Sequence, residues 1–370
     1  MAAIPVMRPS MPNAELVRPW LERMDKAGIY SNFGPLTREL EWQLADFLDV
    51  APQRVVTSAS GTLALQGALT VLPADNWVVP DYTFPATGLA AGSAGRPFAL
   101  ADVDAETWAL DVTHVPKMPG TGLVPVAPFG SEVDLAVWRG WCTVVIDAAA
   151  SLGTRPQLST LPAPWCVVFS LHATKVLPAG EGGIAVFGSD SYADSFRAWS
   201  NFGFAGSRIS GSTATNAKMS EIHAAYALAS LSQSDSELSE WATARSSALG
   251  ASGNAHHWAS APSATGINPY WLIRYPSQAD RSQGADRLAA SAIGSRNWWQ
   301  RPLHQMPAFS GMTLHGTGDV AADLCATTLG LPMFRGLTAE QAERIASVAA
   351  PPGAAAVSEH DDLRRLPVRP

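Results

Sequence analysis

Lysine, cysteine and long apolar runs are what this sequence has least of. Three cysteines, Cys142, Cys166 and Cys325, are scattered through 370 residues, with no Cys-x-x-Cys pair and no metal-ligand spacing. Two of them stand in the apolar runs WCTVVID and WCVVFS, where a thiol reads as a small buried hydrophobe. A disulfide framework and a zinc site are thereby excluded, and a reducing compartment is implied. No stretch approaches the roughly 18 to 20 apolar residues of a membrane helix, and MAAIPVMRPSMP lacks the apolar centre of a signal peptide. The expectation is a soluble, cytoplasmic protein with no membrane partner. A net charge of -7, a pI near 5.6 and the lack of a basic stripe argue against nucleic acid as a partner. Several chemistries are missing too. There is no GxGxxG after a strand, no GxxxxGK[ST], no HExxH and no GxSxG, which removes the dinucleotide fingerprint, the P-loop, the metalloprotease helix and the usual nucleophile elbow.

What is present is a well-cored globular chain, 47% hydrophobic and 15% charged. Short, continuous apolar runs at 76–80, 96–100, 122–126, 142–146, 166–170 and 183–187 read as strands covered on both faces. Helical spacing at 62–72 and 84–94 lies between them, and a long Ala/Ser/Leu helix is predicted from about 219 to 249. Alternating strands and helices imply an α/β fold, a large domain with a mostly parallel sheet flanked by helices. This domain is expected over 1–250, with the first 25 residues or so packing on a smaller α+β C-terminal domain at 251–350. The latter shows a strand in YWLIRY, a helix after Gln278 and a last helix from Thr338. Residues 351–370 read as a mobile tail.

Two charged groups stand at the ends of consecutive strands. Asp147 closes CTVVID, and Lys175 follows CVVFS, one of only four lysines (Lys26, Lys117, Lys175, Lys218) among 25 basic residues. In a parallel sheet the C-terminal strand ends face the ligand crevice, so the two are expected to share a pocket. A lysine there can lose its proton by desolvation and act as a nucleophile toward an aldehyde, although alone it is more often half of a structural ion pair. Ser58-Ala-Ser-Gly-Thr62 is a glycine turn opening a helix directly after RVVT. Such an N-terminus suits a phosphate, while in isolation a plain helix cap is the commoner case. Phosphate cradle, lysine and carboxylate together fit pyridoxal 5'-phosphate: aldehyde on the lysine, phosphate on the helix, carboxylate at the pyridine nitrogen.

The segments IPVMRPSMP, SNFGPLTRELEWQLADFL, SASGTLALQGAL, VVPDYTFPATGLAA, VVIDAAASLG, FSLHATKVLPAGEGG, TNAKMSEIHAAYAL, RPLHQMPAF and TTLGLPMFRGLTAEQ extend over residues 4 to 348. In them the chain resembles the DegT/DnrJ/EryC1/StrS sugar aminotransferases, pyridoxal-phosphate enzymes of aspartate aminotransferase-like fold type I. The resemblance implies that Lys175 bonds the cofactor and shuttles the proton, while Asp147 pairs with the pyridinium. It also implies that Phe84 stacks on the ring, that Gly61, Thr62 and Ser170 bind the phosphate, and that Asn216 reaches the phosphate of the neighbouring subunit in a homodimer. L-glutamate would be converted to 2-oxoglutarate, leaving the pyridoxamine form to aminate a nucleotide-linked keto sugar. The first expectation is C4 of a dTDP-4-keto-6-deoxyhexose, the alternative C3 of the 3-keto isomer. A dehydratase is disfavoured because those relatives carry histidine at the lysine position, and a non-catalytic sugar-binding relative because both charged groups are kept. Trp298, Trp299 and His304 are candidates for the sugar pocket. Two positions depart from the family: Ala150, with Ser151 beside it, where Gln or His usually contacts the cofactor's 3-oxygen, and Ala214 where Gly usually stands.

Overall fold

The computed structural model describes residues 3–252 and 266–350. The apolar runs form strands because each has both faces to bury. In chain order they are β1 (Val55–Ser58), β2 (Asn76–Pro80), β3 (Phe98–Ala101), β4 (Thr121–Leu123), β5 (Thr143–Asp147), β6 (Trp165–Ser170), β7 (Gly183–Phe187), β8 (Trp271–Arg274), β9 (Leu314–His315) and β10 (Thr328–Leu331). Eight of them make one sheet in the order β1-β7-β6-β5-β4-β2-β3-β9, and β10 pairs with β8 in a second, small antiparallel sheet. Only β7 runs against its neighbours in the large sheet. The mostly parallel α/β architecture with a small C-terminal sheet is therefore as expected.

The helices are α1 (Ala14–Ala27), α2 (Pro35–Phe47), α3 (Gly61–Val71), α4 (Pro85–Ser93), α5 (Asp190–Trp199), α6 (Glu221–Ser232), α7 (Ser234–Ser252), α8 (Gln278–Ala290), α9 (Asp319–Thr327) and α10 (Ala339–Ala349). Strand residues alternate between two apolar layers. Val144, Ile146, Val167 and Phe169 join one, with Leu36 and Leu40 of α2 and Ala224 and Leu228 of α6. Val145, Cys166, Val168 and Ala185 join the other, with Ala64 and Leu65 of α3 and Phe196 of α5.

Three boundaries differ from the sequence pattern. The expected strand at 122–126 ends at Leu123: Pro125 has no N–H for a ladder, and Val126 keeps only a single bridge to Asp147. The expected helix at 219–249 is two helices with a break at Gln233. Here the run Ser-Gln-Ser-Asp-Ser is rich in side chains that compete for backbone hydrogen bonds. β9 comes from the C-terminal stretch yet pairs with β3 at the edge of the large sheet. An N-terminal arm crosses the other way: Ile4 N–H donates to the Ala292 carbonyl at 3.0 Å, and Met333 N–H to that of Val6 at 3.2 Å. The expected tail at 351–370 and most of the polar break at 251–266 lie outside the described residues.

A buried carboxylate joins two helices beneath the sheet. α2 begins after Gly34 with no side-chain cap of its own, so its first N–H groups require outside acceptors. Glu221, fully buried at the start of α6, accepts from Leu36 N at 2.7 Å, from Thr37 N at 3.0 Å and from the Thr37 hydroxyl. Glu221→Ala strands those donors and is expected to destabilise the fold by about 3 kcal/mol, read from the denaturant midpoint at unchanged slope.

Candidate active site

The C-terminal ends of β1, β5 and β6 meet the helix starts that follow β1 and β2. Asp147, the last residue of β5, is 6% exposed. One carboxylate oxygen accepts from the Thr87 hydroxyl at 2.8 Å and the other from Ala149 N–H at 3.1 Å. Thr87 sits in the first turn of α4 and is itself bonded to the Thr83 hydroxyl at 2.9 Å. Burial pushes the Asp147 carboxyl above the usual carboxylate range, against the opposing pull of Thr87, Ala149 and the Lys175 charge.

Lys175 lies in the connection that reverses the chain from β6 to β7. Backbone bonds knot this segment: Leu171 N to Gly182 O at 2.9 Å, Ala179 N to Leu171 O at 2.7 Å, and Lys175 N to His172 O at 2.8 Å. The half-buried amine donates to the Tyr270 hydroxyl at 3.3 Å. The Lys175 charge acts on the Asp147 carboxyl, though no hydrogen bond joins the two side chains among the described residues.

The glycine turn is held against the same end of the sheet. Ser60 caps α3 by accepting from Leu63 N at 3.2 Å, and Gly61 is the first helical residue. A Cβ at Gly61 would stand 3.1 Å from that of Ser170, and one at Gly183 only 2.3 Å from the Ser60 carbonyl oxygen. The two glycines therefore let the turn close on β6 and β7, which brings Gly61 and Ser170 together, with Thr62 exposed beside them. Phe84 caps α4 with its ring 58% exposed. Asn216 is exposed and accepts from Lys218 Nζ at 2.7 Å. Its neighbour Ala217 receives Ala59 N–H at 2.8 Å and the Ser58 hydroxyl at 3.1 Å. Among the described residues no hydrogen bond ties Asn216 to Gly61, Thr62 or Ser170 within one chain.

The residues expected to line a sugar pocket divide. Trp299 is buried, stacked on Phe129 at 4.1 Å and edge-on to Tyr82 at 4.5 Å, so it is core. Trp298 packs edge-on against Tyr270 at 5.3 Å. His304 is held by Asp81 at the end of β2, which accepts from both its ring nitrogen and its N–H. Burial raises the Asp81 carboxyl, with those bonds from His304 pulling the other way. Of the two departures, Ala214 is not among the described residues with positive φ and costs no strain. Ser151 is fully buried, and its hydroxyl has no partner among the described residues. Thr87 and Tyr270 were not legible as site residues: Thr87 is one polar position in an apolar helix, and Tyr270 opens a segment whose pattern announces only a strand.

These residues fit pyridoxal phosphate, with a cradle that any Cβ at Gly61 or Gly183 would narrow, an amine, a carboxylate and an unpartnered buried hydroxyl. Gly183→Ala is expected to push the Ser60–Gly61 turn off its seat and weaken cofactor uptake at least tenfold, measured by titrating absorbance. Asp147 gives a pH prediction. Since its folded pKa is raised, the ionised form costs stability once pH climbs through that pKa, and nothing below the unfolded value. Asp147→Asn is expected to raise the melting temperature of the cofactor-free chain near neutral pH. The gain should vanish in acid, and activity should fall at least a hundredfold.

The comparisons with known proteins agree along the chain. The DegT/DnrJ/EryC1/StrS aminotransferase family matches residues 14–349. Protein Rv3402c of Mycobacterium tuberculosis is 30% identical over 377 residues, covering 92% of this chain and 88% of its own. GDP-perosamine synthase of Caulobacter vibrioides is 28% identical over 354 residues, covering 88% and 92%. The solved structure of DesI in the presence of its TDP-sugar product superposes with a TM-score of 0.81 at 26% identity, covering 94% and 92%. By sequence and by fold, the chain belongs to the DegT/DnrJ/EryC1/StrS aminotransferase family.

Proposed function

We propose that this pyridoxal-phosphate-dependent sugar aminotransferase takes its amino group from L-glutamate and places it on C4 of a dTDP-linked 4-keto-6-deoxyhexose. What supports the reaction type is that Asp147 ends β5, Lys175 lies in the connection after neighbouring β6 with its charge acting on that carboxyl, and the Gly61 turn packs on Ser170 at the end of β6. The sugar assignment draws on relatives. A dTDP-4-amino-4,6-dideoxy-D-glucose transaminase of Shigella dysenteriae is 29% identical over 243 residues, covering 63% of this chain and 66% of its own.

The cofactor, when bound, supplies an electron sink for the carbon that loses its proton. In this reading Gly61, Thr62 and Ser170 hold its phosphate and Phe84 covers a ring face. Asn216 adds a phosphate contact from the neighbouring subunit, which makes a homodimer the working unit. The Asp147 carboxylate, fixed by Thr87 and Ala149, holds the proton of the ring nitrogen. The ring's positive charge then compensates the burial that disfavours ionised Asp147 in the chain alone. With the cofactor in place, the Lys175 amine would take the proton from the donor carbon and hold it for redelivery, base then acid.

Adding L-glutamate to the loaded protein is expected to bleach its visible absorbance, and a panel of keto-sugar nucleotides should restore it, fastest with the 4-keto substrate. Lys175→Ala should lose more than about a thousandfold in rate. Protein that never bleaches with L-glutamate refutes the donor, and recovery only with a 3-keto sugar refutes the C4 assignment.

A further inference from the structure

A proton-carrying amine in a half-buried site must have somewhere to point its N–H groups. Among the described residues, the hydrogen-bond partner of the Lys175 amine is the Tyr270 hydroxyl, at 3.3 Å. The ring centroid is much farther away, at 5.7 Å, so the nitrogen stands off the oxygen end of the phenol rather than over its face. The contact is a hydrogen bond and not a cation–π pair.

Tyr270 is itself fixed from several directions. Phe129 meets its ring edge-on at 5.4 Å and Trp298 at 5.3 Å. Its N–H donates to Asn268 Oδ1 at 3.2 Å, and its carbonyl accepts from Arg245 at 3.4 Å. Phe129, one of these walls, holds a left-handed backbone (φ 53°), a conformation that a bulky side chain keeps only where its surroundings insist on it. The phenol oxygen is thus a fixed point, and it is amphoteric: it accepts from an ammonium and donates to an amine.

We propose that Tyr270 is a positioning residue for Lys175, holding the amine at one place in both of its protonation states. The proton borrowed from the donor carbon then stays on a nitrogen aimed at the carbon that receives it. This reaches beyond the assignment of Lys175 but rests on it.

Tyr270→Phe is the test, because it removes one oxygen and keeps the ring contacts with Phe129 and Trp298. Its melting temperature should match the wild type. The kcat is expected to fall about tenfold or more, with little change in KM. Use of glutamate deuterated at its α-carbon should show a larger isotope effect on bleaching than in the wild type. A second readout needs no cofactor. Reductive methylation of Lys175 in the cofactor-free chain, quantified on its peptide by mass spectrometry, should run severalfold faster once the oxygen holding the proton is gone. Unchanged kcat and isotope effect, or labelling no faster than wild type, overturns the proposal. Activity surviving Lys175→Ala would instead remove the premise that this amine does the chemistry, which separates the two failures.

Discussion

A carboxylate buried at the end of a parallel strand is the constraint around which this molecule is arranged. Alone, Asp147 would be expensive: little solvent reaches it, and its two donors, a hydroxyl and one N–H, do not restore what water supplied. The fold tolerates it because two apolar layers close over the sheet on either side. In the proposed role, a cationic ring bound at such a point would relieve the burial cost of the ionised carboxylate, so that stability is given up to affinity and chemistry.

Everything else near Asp147 follows from how the chain turns. A parallel strand needs a helical crossover to return, and such crossovers deliver α3 and α4 to the strand ends, one with the glycine turn and one with Thr87. Between β6 and β7 the chain does something different and reverses directly. That reversal puts Lys175 on an internally bonded segment between Ser170 and Gly183. The reactive role proposed for this amine requires an immobile backbone, which the bonds of this connection and the antiparallel pairing of β6 with β7 supply.

Much of this was legible in the residues. Continuous apolar runs announced buried strands, and the runs at 76–80 and 183–187 match β2 and β7 residue for residue. Asp147 and Lys175 stood out because charge is rare beside such runs, and the Ser58–Thr62 turn because glycine there has few purposes. What could not be read was tertiary. Nothing in the spacing ties Thr87 to a carboxylate sixty positions later, or Tyr270 to an amine ninety-five positions earlier. A two-residue edge strand such as β9 is too short to carry a pattern. Helix breaks were missed where propensity rather than periodicity decided, as at Gln233.

The pairing of residues 4–6 with residues 292–333 carries a consequence for biosynthesis. Ile4 takes its place between Ala292 and Gly294, and Val6 against Met333, so residues 4–6 are synthesised long before the residues they pair with. The edge of the large sheet is completed equally late, when His315 reaches Ala101. Such distant pairings close slowly. During translation the nascent chain must carry an open sheet edge and an unpaired segment at residues 4–6, and it is in that interval, rather than in the finished enzyme, that a chaperone has most to hold.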